Sequence, residues 1–197
     1  MARRDPDVGL LSLCQWAKFG EVDAFISHSW DDKPESKWKS LQAWRRSFKR
    51  RHSGREPLVW IDKYCVDQSR IESILPLVPF FIMGCKEHVV LYGRNYLNRL
   101  WCVMELMVFA EALRKRRSNF KLVAMGVPEV EVFDDLRKFD CRKAKCWQAE
   151  ETTRLLHCMK ASVGGVAVIN RVVQTIPICS SNFWGSSAAE KLNKFKK

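Results

Sequence analysis

The stretch LWCVMELMVFA, residues 100–110, contains ten apolar residues and a single carboxylate, that of Glu105. An unpaired carboxylate in an apolar setting loses its hydration at a cost of several kcal/mol or takes up a proton. Glu105 could therefore face outward, pair with an arginine, or serve a cleft that needs a carboxylate at its edge. Structural ion pairs and functional sites both perturb carboxylates, so this stretch alone leaves the alternatives open.

Two neighbours of Glu105 share its face of a predicted helix. Trp101 lies four residues before Glu105, and Phe109 lies four residues after it. Trp101 could form a platform for a ligand ring or simply belong to the core. Cys102 could be taken for a nucleophile, but no obvious base accompanies it in the sequence, so we do not assign it a catalytic role.

The elements around these residues alternate between strands and helices. Buried strands are predicted at 22–27, 57–62, 88–93 and 120–126, with a weaker fifth strand within 139–146. Helices are predicted at 35–51, 68–83, 96–116 and 129–138, and from 149 to at least 159, with a possible continuation through Gly164 and Gly165 to 173. This alternation predicts an α/β fold, a flavodoxin-like doubly wound parallel sheet of five strands with helices on both faces.

In such a sheet, ligands bind beyond the carboxyl ends of the strands. The loop after the first strand therefore meets the loop after the second and the start of the helix after the third. The first loop offers Ser27, His28, Ser29 and Trp30, and the second offers Lys63, Tyr64 and Cys65. Simpler roles remain open: His28 could bond its own loop, Trp30 could be an assembly contact, and Asp31 or Asp32 could cap the next helix.

The composition favours an anionic partner. The 197 residues carry a net charge of +12, and 47% of them are hydrophobic, enough for one domain with a sizeable core. The basic runs RRSFKRR (45–51) and RKRR (114–117) suggest nucleic acid. Both runs lie at helix ends, where solvated basic faces are ordinary, and no RNA-binding signature accompanies them, so nucleic acid is not expected as the main partner.

The cysteines and apolar runs indicate a soluble cytoplasmic protein with reduced thiols. Eight cysteines are present without a CxxC pair, and the spacing of Cys141, Cys146, His157 and Cys158 matches no common zinc pattern, so no metal site is expected. The N-terminus does not read as a signal peptide. The longest other apolar run, residues 74–85, has twelve residues with two prolines, too short for a transmembrane segment.

Three segments together resemble the Toll/interleukin receptor (TIR) domain family, most closely its cytoplasmic branch in protists, algae and plants. They are DAFISHSW (23–30), PLVWIDKYCVDQ (57–68) and HVVLYGRNYLNRLWCVMEL (88–106). The second and third are the more specific, because two separated signatures agree in order and spacing. The resemblance covers residues 21–160 and leaves an N-terminal extension (1–20) and a C-terminal helical extension with a basic tail (161–197).

The resemblance implies both an activity and an assembly. Many TIR domains cleave NAD at the nicotinamide–ribose bond, with a glutamate at the position of Glu105 and a tryptophan at that of Trp101. By the same resemblance, residues 27–30 line the nucleotide pocket, and the loop 63–69, including Lys63 and Tyr64, gates the pocket and mediates self-association. NAD would be a substrate, and no cofactor is expected.

Two features limit what the resemblance carries over. The loop at 63–69 lacks the Pro-Gly turn of the animal adaptor members and begins Lys63-Tyr64-Cys65, so an adaptor-style partnership does not transfer. Many TIR domains only bind other TIR domains. The alternative function is therefore a non-catalytic module for homotypic interaction in signal transduction.

A single carboxylate is chemically sufficient for the implied reaction. Most glycoside hydrolases pair an acid with a second carboxylate. Nicotinamide in NAD is already a cationic pyridinium and leaves as a neutral molecule, so no proton has to be supplied. What remains is to hold the ribose and to stabilise an oxocarbenium-like carbon, a task that suits one preorganised carboxylate in a dry pocket.

Overall fold

The computed structural model describes residues 10–67, 74–115 and 119–179. Three parts of the sequence-based predictions lie outside these residues. They are the first half of the helix predicted at 68–83, the end of the loop 63–69, and the basic tail from 180 onward. The N-terminal extension is described from Leu10.

Four parallel strands form one sheet. They are β1 (Ala24–His28), β2 (Val59–Trp60), β3 (Glu87–Tyr92) and β4 (Asn119–Ala124), in the order β2-β1-β3-β4. Each starts within two residues of its predicted position. The register pairs Phe25 of β1 with Trp60 on one side and with His88 on the other. The order confirms the predicted α/β, flavodoxin-like, doubly wound architecture.

The predicted fifth strand is wrong. Residues 139–146 form turns. Their β-type pairing in the described structure is limited to an isolated parallel bridge between Lys145 and Arg99. The reason is local, because Asp140 accepts hydrogen bonds from the backbone N–H and guanidinium of Arg142, and the Lys143 N–H returns to the Asp140 carbonyl. These short-range bonds hold the backbone in turns and compete with an extended ladder. Within the described residues the sheet therefore has four strands.

The predicted helices occur in order, and one further short helix forms where the sequence predicts the loop after β2. They are α1 (Pro34–Arg51), α2 (Asp62–Cys65), α3 (Val78–Met83), α4 (Leu100–Lys115), α5 (Glu129–Arg137), α6 (Ala149–Val163) and α7 (Val166–Cys179). Short 3₁₀ turns occur at Leu10–Leu13, Leu75–Leu77 and Tyr96–Asn98. Gly164 ends α6 at a φ of 90°, in the left-handed region that favours glycine, so the chain does not continue as a single helix through the glycine pair.

The sheet is covered on both faces. Ala24 and Ile26 of β1 pack with Trp44 and Phe48 of α1, whereas Phe25 belongs to the larger cluster that contains α4. Because side chains alternate along a strand, Ser27 faces the α4 side as Phe25 does. This alternation points Ser27 at the helix that carries Glu105.

The part of the C-terminal extension that the structure describes, up to residue 179, packs into the same core. Ile169, Val173 and Ile176 of α7 are buried in the large cluster, and α7 packs against α4 and α5. Among the described residues, no helix has the length and apolar character needed to cross a bilayer.

Candidate functional site

Glu105 lies at the end of a buried chain of hydroxyl groups. The Ser27 hydroxyl, 1% exposed, donates a hydrogen bond to the Glu105 carboxylate. The Ser27 Oγ also lies 2.5 Å from the hydroxyl of Tyr96, which is fully buried. Since the serine proton goes to Glu105, Tyr96 donates to Ser27 when the carboxylate is ionised. The order Tyr96 to Ser27 to Glu105 points every donor toward the carboxylate.

The surroundings of Glu105 favour its neutral form. Burial raises the pKa of Glu105 to about 8, the Ser27 hydrogen bond opposes this, and the negative charge of Asp62 adds to it. Burial likewise raises the pKa of Tyr96 well above its usual value, so Tyr96 keeps its proton. Glu105 ionises at neutral pH most readily when positive charge is brought to it, for example by a cationic ligand.

Asp62, the first residue of α2, ties the loop after β1 to the loop after β2. The indole N–H of Trp30 donates to Asp62 Oδ2 at 2.5 Å, and the Lys63 backbone N–H donates to Oδ1 at 2.7 Å. His28 Nε2 lies 3.8 Å from Asp62 Oδ1. Burial lowers the pKa of His28 despite this carboxylate, so the imidazole is largely neutral at pH 7. Asp62 thus fixes the orientation of Trp30.

Trp30 is the partly buried aromatic residue of this group. The Lys63 ammonium lies 5.9 Å from the centre of the Trp30 ring, and the His28 ring runs nearly parallel to it at 6.5 Å. From α1, the Lys37 ammonium donates to the Ser29 carbonyl at 3.0 Å, and burial lowers the pKa of Lys37. The indole can stack on an aromatic ring, and the ammonium beside it can attract an anionic group.

A second aspartate holds the β1 loop against the loop after β3. Asp32 Oδ1 accepts hydrogen bonds from the backbone N–H and side-chain amide of Asn95, each at 3.2 Å. A Cβ at Gly93 would lie 2.2 Å from Asp32 Oδ2, so only glycine allows this close approach. Neither Asp31 nor Asp32 caps α1, whose N-cap position is Lys33 without a side-chain cap.

The remaining predicted site residues are placed differently. The Trp101 indole N–H donates to Glu151 of α6 at 3.0 Å, and its ring packs on the core. Tyr64 is exposed, and Ser29 is fully buried with its hydroxyl accepting from the Asp31 backbone N–H. The structure therefore brings Ser27, His28, Trp30, Lys63 and Glu105 together around Asp62, whereas the Trp101 indole N–H is bound to α6.

Three contributors went unrecognised in the sequence. The sequence pattern assigns Asp62 to the end of a buried strand, although a carboxylate at the carboxyl end of a strand points to a ligand site. It assigns Tyr96 to the start of a helix and offers Asp32 only as a helix cap. Cys102, which had looked like a nucleophile, is buried with its thiol directed at the His28 carbonyl, and burial raises its pKa well above the usual range.

A shallow, open depression lies on α6, lined by Glu150, Thr153, Arg154, His157 and Cys158. Within residues 10–67, 74–115 and 119–179, no three His, Cys, Asp or Glu side chains converge as a metal site would require. The edge around Glu105 therefore carries the functional interpretation.

No protein-family model matches the chain, and no curated protein matches its sequence at a significant level. The strand order thus establishes the fold without support from relatives. The chemistry has to be inferred from the side chains that meet at the carboxyl edge of the sheet.

Proposed function

We propose that the protein is a TIR-type signalling enzyme that hydrolyses the nicotinamide–ribose bond of NAD and is activated by self-association in the cytoplasm. The observation that carries the proposal is the Glu105 carboxyl group at the carboxyl edge of the sheet, held by the Ser27 hydroxyl and backed by Tyr96. A carboxyl group held in this way is preorganised for positive charge that develops beside it.

The raised pKa of Glu105 fits a cationic substrate. Burial holds this pKa at about 8, and a pyridinium ring nearby would lower it because opposite charges favour the ionised carboxyl. Binding of NAD would then release the Glu105 proton and generate the carboxylate where the reaction needs it. Among the described residues no cation offsets the burial of Glu105, which is an argument for a cationic ligand.

The bond-breaking step requires little from the protein beyond this charge. The bond between ribose C1′ and the nicotinamide nitrogen breaks, and its electron pair neutralises the pyridinium. The ribose carbon becomes an oxocarbenium ion, which the Glu105 carboxylate stabilises. Water adds to that carbon and loses a proton, giving ADP-ribose, nicotinamide and H⁺. Ser27 and Tyr96 hold the carboxylate in one orientation throughout.

The rest of the nucleotide can be accommodated by the two loops. Trp30, fixed by Asp62, offers an indole face for stacking on a ring. The Lys63 ammonium next to that ring, within a chain of net charge +12, suits the pyrophosphate.

The test is nicotinamide release by the purified protein, measured over a wide range of protein concentrations. Specific activity should rise with concentration if subunits activate one another. Glu105→Gln keeps the shape and removes the charge, and should lower the rate on the order of a hundredfold or more, about 3 kcal/mol of transition-state stabilisation.

Glu131→Gln is the matched control, because Glu131 is an exposed carboxylate on α5 paired with Arg94. This variant should keep the parent rate. Parent-like release by Glu105→Gln would refute the catalytic assignment.

A non-catalytic interaction module is the second candidate, and one surface favours it. Trp16, Phe19 and Phe80 are all more than half exposed. The Phe19 ring lies against Gly84, whose backbone N–H donates to the Phe80 carbonyl, so Phe19 and Phe80 belong to one region. Exposed apolar patches of this kind mark association surfaces.

Sedimentation measurements separate the two candidates. Self-association that weakens in Phe80→Ser but persists in Val130→Ser, an exposed apolar control on α5, would support this surface. Such association without nicotinamide release at any concentration would favour the module over the enzyme.

A further inference from the structure

Two thiols meet next to the loop that carries Asp62. The Cys14 Sγ lies 3.9 Å from the Cys65 Sγ and donates to the Tyr64 carbonyl at 3.1 Å. The two cysteines are 51 positions apart in the sequence. They are brought together because the 3₁₀ turn Leu10–Leu13 packs against α2. Both side chains are partly buried, and both thiols are free.

We propose that Cys14 and Cys65 form a reversible redox pair, whose disulfide fastens the N-terminal segment to α2. A disulfide bond is about 2.05 Å long, so the sulfurs have to approach by roughly 2 Å. Rotation about the cysteine χ1 angles can supply a movement of this size without separating the packed segments.

The reaction needs an oxidant, and a low-molecular-weight disulfide such as glutathione disulfide is the class we name. Burial raises the pKa of Cys65 to about 11, so this thiol stays protonated and Cys14 is the sulfur that first attacks the reagent. The reagent's S–S bond breaks, one glutathione thiolate leaves, and Cys14 is left in a mixed disulfide.

The second step closes the pair. The Cys65 thiol loses its proton to solvent and attacks the Cys14 sulfur, and the second glutathione thiolate leaves. In sum, two protein thiols and one glutathione disulfide give one protein disulfide and two glutathione thiols. Glutathione in excess reverses both steps. Disulfides of intracellular proteins are typically transient and redox-sensing, which fits a reversible pair.

The position of Cys65 gives the disulfide a consequence. Cys65 ends the short helix that Asp62 begins, and Asp62 orients Trp30. Anchoring Cys65 to the N-terminal segment would therefore restrict opening of the loop that carries Asp62 and Lys63. This holds whatever ligand the Glu105 edge binds, so it can fail or succeed independently of NAD cleavage.

The experiment oxidises the native protein with glutathione disulfide, alkylates the remaining thiols, and maps the products by trypsin digestion and mass spectrometry. Cleavage after Arg4, Lys18, Lys63 and Arg70 should yield peptide 5–18 joined to peptide 64–70. The intact mass should fall by two hydrogen atoms, and dithiothreitol should restore it. Native tryptic cleavage after Lys63 should slow several-fold in the oxidised form.

Single substitutions make the outcome decisive. Cys14→Ser and Cys65→Ser should each abolish the joined peptide, whereas Cys158→Ser, which replaces an exposed cysteine on α6, should leave it. Circular dichroism checks that each variant is folded. A lasting glutathione adduct on Cys14 without closure would overturn the proposal, and so would pairing of Cys65 with Cys85 instead.

Discussion

The Ser27 hydroxyl of β1 donates a hydrogen bond to the Glu105 carboxylate of α4, across 78 positions of sequence. Ser27 faces α4 because strand side chains alternate, and Phe25 on the same face packs in the core beneath that helix. The bond joins a buried strand end to the only carboxylate within the apolar run at 100–110. It determines where Glu105 points and partly offsets the cost of burying it.

The raised pKa of Glu105 predicts a pH-dependent effect on stability. The pKa of the Glu105 carboxyl group is about 8 in the folded state, against an ordinary 4.5, so the folded state binds its proton more tightly than the unfolded chain does. Ionisation of the buried group therefore destabilises the fold. The penalty is absent below about pH 4.5, grows as the pH rises, and is complete above pH 8. Glu105→Gln should therefore raise the free energy of unfolding by on the order of 3 kcal/mol at pH 9 and hardly at all at pH 4.

Urea unfolding at the two pH values measures this difference. A change in packing would alter the free energy of unfolding equally at both pH values, whereas ionisation of Glu105 in the folded state makes the difference depend on pH. A stability difference that is the same at both pH values would show that Glu105 has an ordinary pKa.

Two substitutions should move the pKa of Glu105 in opposite directions. Ser27→Ala removes the hydrogen bond that stabilises the ionised carboxyl, so the pKa should rise above about 8. Asp62→Asn removes a negative charge and keeps an oxygen for the Trp30 indole, so the pKa should fall. The pH dependence of the Glu105 carboxyl ¹³C chemical shift, assigned by comparison with Glu105→Gln, would give the pKa in each variant. A change of the pKa in the same direction in both variants would contradict this account.

Gly93→Ala should destabilise the fold. Its Cβ would lie 2.2 Å from Asp32 Oδ2, a carboxylate held by Asn95, so either Asp32 or the backbone has to move. The free energy of unfolding should fall by about 2 kcal/mol. Denaturant unfolding of Gly93→Ala, Asp32→Ala and the double variant tests the cause. Gly93→Ala should lower the free energy of unfolding clearly less when Asp32 is already alanine. An equal loss in both backgrounds would exclude the clash with Asp32 as the cause.

His88 predicts acid sensitivity. Its side chain is buried among the rings of Phe25, Phe109 and Phe120, and within the described part of the chain neither ring nitrogen has a hydrogen-bond partner. Burial lowers its pKa to about 3 from an ordinary 6.5. The folded state therefore resists a proton that the unfolded chain accepts, and stability is lost as the pH falls from 6.5 toward 3.

His88→Phe should remove this loss. Between pH 7 and pH 4, the free energy of unfolding of the variant should rise relative to that of the parent by on the order of 3 kcal/mol. Acid-unfolding curves followed by circular dichroism would show the gain. His157→Phe, which changes a histidine on α6, is the control and should leave the pH of acid unfolding unchanged. An unchanged pH of acid unfolding in His88→Phe would mean that His88 is not responsible.

Local sequence patterns were sufficient for most of the architecture. The four strands begin within two residues of their predicted starts. A short β-rich apolar run bounded by polar loops depends only on a few neighbouring residues, so the sequence is enough to recognise it. The fifth strand failed for the same local reason, since Asp140 closes a turn with Arg142 that the apolar pattern does not reveal. Glu105 was recognisable because a carboxylate inside an apolar run is costly wherever it lies.

The composition of the site depended on tertiary structure. Trp30 and Asp62 belong to separate loops, and only the pairing of β1 with β2 sets their side chains 2.5 Å apart. The chain of Tyr96, Ser27 and Glu105 needs the strand order and the side-chain alternation of β1 together. The sequence by itself determined the elements and the unusual glutamate, because these follow from neighbouring residues. The tertiary structure decided the partners of that glutamate, because their distances depend on how distant elements pack.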